Sequence, residues 1–257
     1  MLLSVQSVFA FFFIVARVAG LFLSAPILSD RAIPQTMKLA MVIWTSLLFW
    51  FIVPFPTLHA DLHLDIILLL LGELMLGLVI GLISRIIFVG VQMAGSLMDM
   101  QMGLSAAATF DPSSGGQVTI MERLMFYFAI TIFFLSNAHH LLLISLFESF
   151  KVIPLAREVQ YSGLLDQISH LASLIFLTGL DLSMPILVII FLLDFSLGLL
   201  ARLAPQVNVF SLGFQVKPAL GLWIFIFTIP LLTHELEALV TTTMTEIYKF
   251  LAQVKVT

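Results

Sequence analysis

Long apolar stretches separated by short polar breaks run along almost the whole chain. The hydrocarbon core of a bilayer is about 30 Å thick and needs roughly 20 apolar residues in a helix. Several stretches reach this length, whereas the short alternating segments of a membrane β-barrel are not found. The pattern predicts an all-α membrane protein. The predicted helical segments are Val8–Leu28, Met37–Val53, Leu64–Gly90, Leu124–Phe147, Leu171–Leu203 and Lys217–Leu239.

The breaks between these segments predict the remaining organisation. A weaker amphipathic stretch over 91–109 leads into the polar loop Phe110–Gln117, and the last two segments form a helical hairpin around a turn at 204–216. Pro185 and Pro230 each remove a helical hydrogen bond, which predicts kinked helices. No soluble domain interrupts the pattern, so we expect a single membrane domain over 1–257.

Composition agrees with this interpretation. Hydrophobic residues make up 61% of the chain and charged residues only 10%, whereas a soluble domain has about 25% charged residues. The surface must therefore be covered by lipid or by partner subunits. The chain has no cysteine, which excludes disulfides and cysteine-based metal or redox sites. The net charge of -4, without a basic cluster, argues against nucleic-acid binding.

The positions of Lys and Arg predict the orientation in the membrane. Under the positive-inside rule, the loops after the first, third and fifth segments are cytoplasmic. This places the amino terminus outside and the hairpin turn in the cytoplasm, although Lys151 and Arg157 lie on the opposite side. The basic residues that favour this orientation are Arg31, Lys38, Arg85, Arg123, Arg202 and Lys217.

Six charged residues lie inside or beside the apolar segments. A charge at mid-bilayer costs several kcal/mol, about 2.5–3.5 on insertion scales, so each is expected to face protein or water. Structural pairing and a proton or ion relay through Glu73, Asp181 and Asp194 are the two alternatives. The predicted buried charges are Arg17, Glu73, Arg85, Asp99, Asp181 and Asp194.

Glycines recur at a spacing of four near two of these charges. Gly77 and Gly81 lie between Glu73 and Arg85, and therefore share one helical face with them. Gly95 and Gly103 flank Asp99 in the same way. Small residues at this spacing let membrane helices approach closely, so all four glycines are predicted to be helix-packing positions.

The region around the polar loop is rich in methionine. Met93, Met98, Met100 and Met102 precede it, and adaptable methionine side chains can form a gasket around irregular partners. The loop breaks helical structure and lacks the Lys and Ser/Thr register of a phosphate-binding loop. It is either an exterior turn or a feature that lines a pore. Its residues are Phe110, Asp111, Pro112, Ser113, Ser114, Gly115, Gly116 and Gln117.

No set of residues in the sequence predicts catalysis or metal binding. The adjacent pair His139-His140 has no ligand partner three or four residues away, and His59 and His63 lie in a short loop. No nucleophile, base and orienting group can be assembled. We therefore expect no enzymatic activity, no metal and no cofactor.

Two motifs make the chain resemble the FliR/SctT family, subunits of the flagellar type III export gate. The second motif is the more specific, and the resemblance covers essentially the whole chain. The motifs are Ala94-Gly95-x3-Asp99-x3-Gly103-x2-Ala106 leading into Asp111-Pro112, and Arg202-x2-Pro205-Gln206-x-Asn208-Val209-Phe210-x2-Gly213-x3-Lys217.

The resemblance implies a non-enzymatic role in the bacterial inner membrane, in the flagellar basal body. One copy of this chain would assemble with FliP and FliQ into a closed gate for unfolded export substrates. Residues 1–165 would form a FliP-like part and 166–257 a FliQ-like hairpin. Phe110–Gln117 would be a plug beside the methionine gasket. The virulence-type homologue and a small-solute or ion transporter remain alternatives.

The resemblance also assigns a partner to the hairpin turn. In the family this turn lies in the cytoplasm, where FlhB wraps the gate. The corresponding residues of this chain are Pro205, Gln206, Asn208 and Lys217.

Overall fold

A computed structural model describes residues 5–30, 33–54, 63–105, 119–157, 159–160 and 164–256. Seven helices and two strands of two residues each lie within these ranges. The helices are α1 (Val5–Ser24), α2 (Gln35–Trp50), α3 (His63–Met102), α4 (Ile120–Leu135), α5 (Ala138–Val152), α6 (Leu164–Leu203) and α7 (Val209–Gln253). The strands β1 (Val159–Gln160) and β2 (Lys255–Val256) pair antiparallel, with Val159 opposite Val256.

The predicted all-α membrane class is confirmed. Among the described residues, four helices are long and apolar enough to cross a membrane, and α4 with α5 gives a fifth candidate if the two form one broken span. Helix α2 has only 16 residues, or about 24 Å, and is shorter than the bilayer core. The candidate spans are Ser7–Ser24, Ile66–Met102, Asp166–Leu203 and Val209–Gln253.

Helix α3 is longer than the sequence pattern predicts. The strong segment Leu64–Gly90 and the weaker stretch after it form one continuous helix of 40 residues, about 60 Å long. Gly90 does not end the helix, because it packs against the Thr178 side chain, where a Cβ would come within 2.9 Å. Tertiary contacts thus stabilise helical structure in the last part of α3, where the sequence is less hydrophobic than in the first part.

The predicted segment Leu124–Phe147 is helical, but it is interrupted. Two helices, α4 and α5, occupy it with a short break between them. Asn137 takes the left-handed conformation there, with φ 55° and ψ 25°, which is uncommon for a residue other than glycine. The break therefore divides this segment into helices of 16 and 15 residues.

Helices α6 and α7 form the predicted hairpin with a shorter turn, over 204–208. They contain 40 and 45 residues, about 60 and 70 Å. Both continue through internal prolines: Pro185 in α6, and Pro218 and Pro230 in α7. The apolar stretches alone underestimated both lengths.

The chain divides into two compact units, and the three longest helices contribute residues to both. The first unit consists of Met1–Ile86, Asn137–Leu171 and Thr241–Thr257. Its hydrophobic core joins α1, α3 and α5 with the end of α7, through buried side chains such as Phe13, Leu76, Leu146 and Ile247.

The second unit consists of Ile87–Ser136 and Ala172–Val240. Its buried side chains come from the end of α3, from α4 and from the hairpin, and include Phe88, Phe133, Ile186 and Leu232. Phe88 contacts the rings of Phe126 and Phe133 edge to face, at 5.9 and 5.5 Å between centroids. The division predicted at 165/166 concerns family likeness and stays a prediction.

Candidate functional site

Helices α1 and α3 approach so closely that only glycine fits at the contact. A Cβ at Gly77 would collide with the carbonyl oxygen of Arg17, and one at Gly20 would collide with the Leu74 carbonyl. A Cβ at Gly81 would meet the Ser24 hydroxyl, which itself donates to the Leu78 carbonyl oxygen at 2.9 Å. The structure thus places Gly77 and Gly81 in the interface between these two helices.

Arg17 and Glu73 form an ion pair inside this contact. Arg17 Nε lies 2.5 Å from Glu73 Oε2, and both side chains are buried. Arg17 also donates from Nη1 to the Ser149 hydroxyl at 3.2 Å, and its guanidinium lies 4.4 Å from the centre of the Phe150 ring. A carboxylate, a hydroxyl and an aromatic face of the same chain thus surround the guanidinium.

The same pair binds the backbone that follows α5. Arg17 Nη2 donates to the Ile153 carbonyl oxygen at 3.0 Å, and the Ala156 amide donates to Glu73 Oε1 at 3.1 Å. Ala156 has a φ of 58°, a left-handed conformation that costs free energy for any residue with a side chain. The two charges therefore hold a strained turn that local hydrogen bonding does not favour.

Asp99 has a comparable role in the second unit. Its Oδ2 accepts hydrogen bonds from the amides of Met121 at 2.8 Å and Glu122 at 3.2 Å. The side chain is fully buried. A Cβ at Gly95 would lie 2.5 Å from the Glu122 Cα, so this glycine brings α3 against the start of α4.

Gly103 differs from its predicted packing role. It has a φ of 78°, and no atom of the residues that the structure describes lies within 4 Å of the position its Cβ would occupy. It ends α3, and the following amide, of Leu104, donates to the Asp99 carbonyl oxygen at 3.0 Å. This is the arrangement of a left-handed helix C-terminus, for which glycine is preferred.

The predicted gasket methionines occupy different environments. Met98 and Met102 are fully buried within the second unit, as are Met121 and Met125, whereas Met100 is 67% exposed. Two of the side chains pack against glycines of the hairpin, Met93 on Gly179 and Met102 on Gly221. The proposed plug residues Phe110–Gln117 lie outside the described residues.

Three of the predicted buried charges are not enclosed by this chain. Arg85 and Asp181 are exposed on the isolated chain, so their burial against a partner stays a prediction. Asp194 is partly exposed and pairs with Lys217, at 2.6 Å from Oδ1 to Nζ. The sequence pattern did not predict this pair, because the two residues lie on different helices of the hairpin.

The hairpin turn presents polar and apolar groups to its surroundings. Pro205, Gln206 and Asn208 are exposed, and Asn208 Oδ1 accepts from the Ser211 amide at 3.2 Å, which caps α7. Leu203 and Phe210 beside the turn are 82% and 80% exposed. Such apolar exposure at a loop is typical of an interaction surface.

Sequence reasoning did not identify a charged group where the ends of α6 and α7 meet in the first unit. Buried Glu246 receives Lys249 Nζ at 2.8 Å on Oε1 and lies 3.5 Å from His170 Nδ1. The spacing of three between Glu246 and Lys249 was a local signal for their pairing. No local signal predicted His170.

The two adjacent histidines contact each other. The rings of His139 and His140 lie 4.3 Å apart between centroids. Within the ranges that the structure describes, no group of three or more His, Asp or Glu residues could hold a metal ion. The contacts that the structure describes for Arg17, Glu73, Asp99 and Asp194 are ion pairs and hydrogen bonds within the chain.

Comparison with known proteins identifies the family. Residues 8–243 match the family described as "Bacterial export proteins, family 1". The chain belongs to this family. The FliR resemblance is also confirmed by relatives of at least 30% identity that span most of the chain.

The relatives come from distant bacteria. Flagellar biosynthetic protein FliR of Escherichia coli K12 is 30% identical over 95% of this chain and 92% of its own length. FliR of Bacillus subtilis 168 is 31% identical over 82% of this chain and 83% of its own. The Yop proteins translocation protein T of Yersinia pestis is 28% identical over 87% of both.

In this export-family chain, the hairpin helices leave most of their apolar side chains uncovered. Only 11% of the most apolar part of α6 and 22% of that of α7 are buried. The exposed side chains include Phe191, Phe195, Trp223 and Phe227. Met184, Pro185, Ile224 and Phe227 line an open apolar groove of about 630 Å³ in the second unit. These faces are suited to lipid or to partner helices.

Proposed function

We propose that this chain is a subunit of the type III protein export gate in the bacterial inner membrane. In this proposal one copy assembles with FliP and FliQ around the channel that unfolded flagellar proteins cross. The flagellar names of relatives at 30–31% identity favour the flagellar system. The virulence-type relative at 28% identity supports a shared role in protein translocation.

The observation that supports this function best is the length of the uncovered apolar hairpin. Helices of 40 and 45 residues are about 60 and 70 Å long, against a hydrocarbon core of about 30 Å. A tilt of about 60° would be needed to place 60 Å within the core, beyond the usual range of 0–40°. Lipid can therefore cover only part of this surface, and partner proteins have to cover the rest.

The charged residues favour this function over a small-solute or ion transporter. Glu73 is paired with Arg17, and Asp194 with Lys217. A relay requires carboxylates that can bind and release ions along a path, whereas these two already have cationic partners. Their positions agree better with structural pairing.

The assembly proposal is tested by co-expression with FliP and FliQ, followed by purification in detergent and native mass spectrometry. We expect a complex that contains one copy of this chain. Phe227 is 74% exposed on the hairpin, so Phe227→Arg should abolish the complex, while the matched control Phe227→Leu keeps it. Purification of the unaltered chain as a stable monomer that never joins FliP and FliQ would contradict the proposal.

Within this gate, we assign Phe110–Gln117 to the plug and the methionines before it to a surrounding gasket. Met100 supports the gasket assignment best, because its exposed side chain is available to another subunit. The exposed turn, with Pro205, Gln206 and Asn208, is assigned to FlhB contact on the cytoplasmic side. The apolar exposure of Leu203 and Phe210 supports such a partner.

Deletion of Ser113–Gln117 tests the plug. The assembled gate should become leaky to small ions, because a closed pore would lose part of its obstruction, while complex formation survives. Ion flux into vesicles or cells measures the leak. A control that replaces the same five residues with Gly and Ser keeps the chain length. An assembled deletion variant that is as tight as the unaltered gate would exclude a plugging role.

A further inference from the structure

Helix α4 begins without a local side-chain cap. The residue before it, Thr119, has the extended backbone of an N-cap, with φ -79° and ψ 167°, but its side chain makes no capping hydrogen bond. The first amides of a helix have no acceptor within the helix. In an apolar environment each unsatisfied amide costs several kcal/mol, so an acceptor from elsewhere is needed.

Asp99 supplies that acceptor from α3. Its Oδ2 receives the amides of Met121 and Glu122, which are the second and third residues of α4 and the positions that an N-cap side chain normally serves. A carboxylate at this end also interacts favourably with the helix dipole. Asp99 thus performs the function of an N-cap from 22 residues away.

The backbone of α3 is held against the same turn. At Gly95, one helical turn before Asp99, a Cβ would come within 2.5 Å of the Glu122 Cα and 2.7 Å of its nitrogen. Three residues after Asp99, α3 ends at Met102. The contact at Gly95 and the hydrogen bonds of Asp99 therefore fix the end of α3 and the start of α4 relative to each other.

We infer that Asp99 is a positioning residue, which caps α4 and ties it to the end of α3. The tie sets the separation of the points where the chain leaves α3, at Gly103, and enters α4, at Thr119. This inference does not rest on the proposed function, because it concerns contacts within the chain. If the chain failed to assemble with FliP and FliQ, the inference about Asp99 would be unaffected. If the inference about Asp99 failed, the proposed export role would be unaffected.

The inference is tested on the 257-residue chain purified in detergent, with two measurements. Hydrogen exchange reports the protection of the first turn of α4. Nitroxide labels on Gln101→Cys and Arg123→Cys report the separation of the helix ends. Both positions are exposed, and the chain has no other cysteine. Asp99→Ala should speed exchange at Met121 and Glu122 about tenfold or more and should broaden the label distance.

A second-site variant separates capping from tying. Asp is a strong N-cap residue, so adding Thr119→Asp to Asp99→Ala should restore the slow exchange through a local cap. It should restore the label distance only in part, because the contact between Gly95 and Glu122 remains while the hydrogen bonds from Asp99 to α4 are lost. Met100→Leu is the matched control and should change neither measurement, since this side chain is next to Asp99 in the sequence and is 67% exposed.

Three results would overturn the inference. Unaltered exchange and unaltered distance in Asp99→Ala would exclude both roles. If the double variant recovered both the slow exchange and the full label distance, Asp99 would cap α4 without holding it to α3. If Asp99→Ala does not fold, the isosteric Asp99→Asn decides. Charge-assisted hydrogen bonds are roughly twice as strong as neutral ones, so Asp99→Asn should make exchange at Met121 and Glu122 several-fold faster. Exchange at the rate of the unaltered chain in this variant would contradict the inference.

Discussion

Arg17 and Glu73 compensate each other's charge in the first unit, and together they bind the backbone at Ile153 and Ala156. A buried ion pair contributes little net stability compared with an apolar replacement, but loss of one partner leaves an isolated buried charge. The pair is therefore better understood as a determinant of one particular arrangement of α1, α3 and the turn after α5.

Removal of either partner should be more harmful than removal of both. Arg17→Ala or Glu73→Ala should destabilise the purified chain by about 3–5 kcal/mol, because the remaining charge is uncompensated. The double variant Arg17→Met with Glu73→Leu should lose less than the sum of the single effects. Thermal unfolding in detergent measures this difference.

Arg85→Ala is the matched control for these variants. Its side chain is exposed, and surface substitutions usually change stability by about 0.5 kcal/mol or less. Strictly additive effects of the Arg17 and Glu73 substitutions would show that the two side chains act independently, against the arrangement described.

Helix α3 combines two kinds of glycine, and they should respond oppositely to the same substitution. Gly72→Ala should stabilise α3 by up to about 1 kcal/mol, because alanine is the better helix former and no described part of the chain lies within 4 Å of its Cβ. Gly77→Ala should destabilise the chain by about 1–3 kcal/mol, because its methyl group meets the Arg17 carbonyl oxygen.

The unfolding midpoint of the two alanine variants in detergent checks this contrast. A shift of the same sign and size in both would mean that helix propensity alone governs α3. The close approach of α1 and α3 would then contribute nothing to the stability of the first unit.

The lengths of the elements also depend on contacts that local patterns do not contain. The break at Asn137 divides an apolar stretch that hydropathy predicts as one helix. Conversely, α3 continues through Gly90 because that glycine packs against Thr178. Hydropathy is continuous at the first position and falls after the second, so it predicts neither outcome.

For the whole molecule, the uncovered apolar area of α6 and α7 is more informative than the buried core. Polar residues on this area are expected to act between chains. Asp181 lies in α6 and is exposed, although a charge in the bilayer costs about 2.5–3.5 kcal/mol on insertion scales. A neighbouring protein is the environment that best accounts for it.

Asp181→Asn should therefore reduce the yield of the complex with FliP and FliQ and leave the isolated chain equally stable. Co-purification measures the first effect and thermal unfolding the second. Normal assembly together with loss of a proton dependence of export would instead support the transporter alternative. Asp194→Asn is a useful comparison, because its partner Lys217 lies in the same chain and its loss should lower the stability of the chain itself.

The sequence by itself determined the membrane class, the positions of most helices and the family. These properties are local, because in an apolar solvent each segment has to satisfy its own backbone hydrogen bonds. The hydropathy of the sequence is therefore enough to locate the helical segments. The motif around Asp99 and the motif of the hairpin turn were sufficient for the resemblance to the export family, which the match over residues 8–243 confirms.

Only the tertiary structure decided which partner each charge meets and which glycines are contact points. Arg17 and Glu73 are 56 residues apart, and Asp99 binds amides 22 and 23 residues away. Gly77, Gly95 and Gly103 are equivalent in the spacing pattern, yet two bring helices together and one ends a helix. Such roles depend on what the fold brings next to each residue, and periodicity along a single helix contains no information about its neighbours.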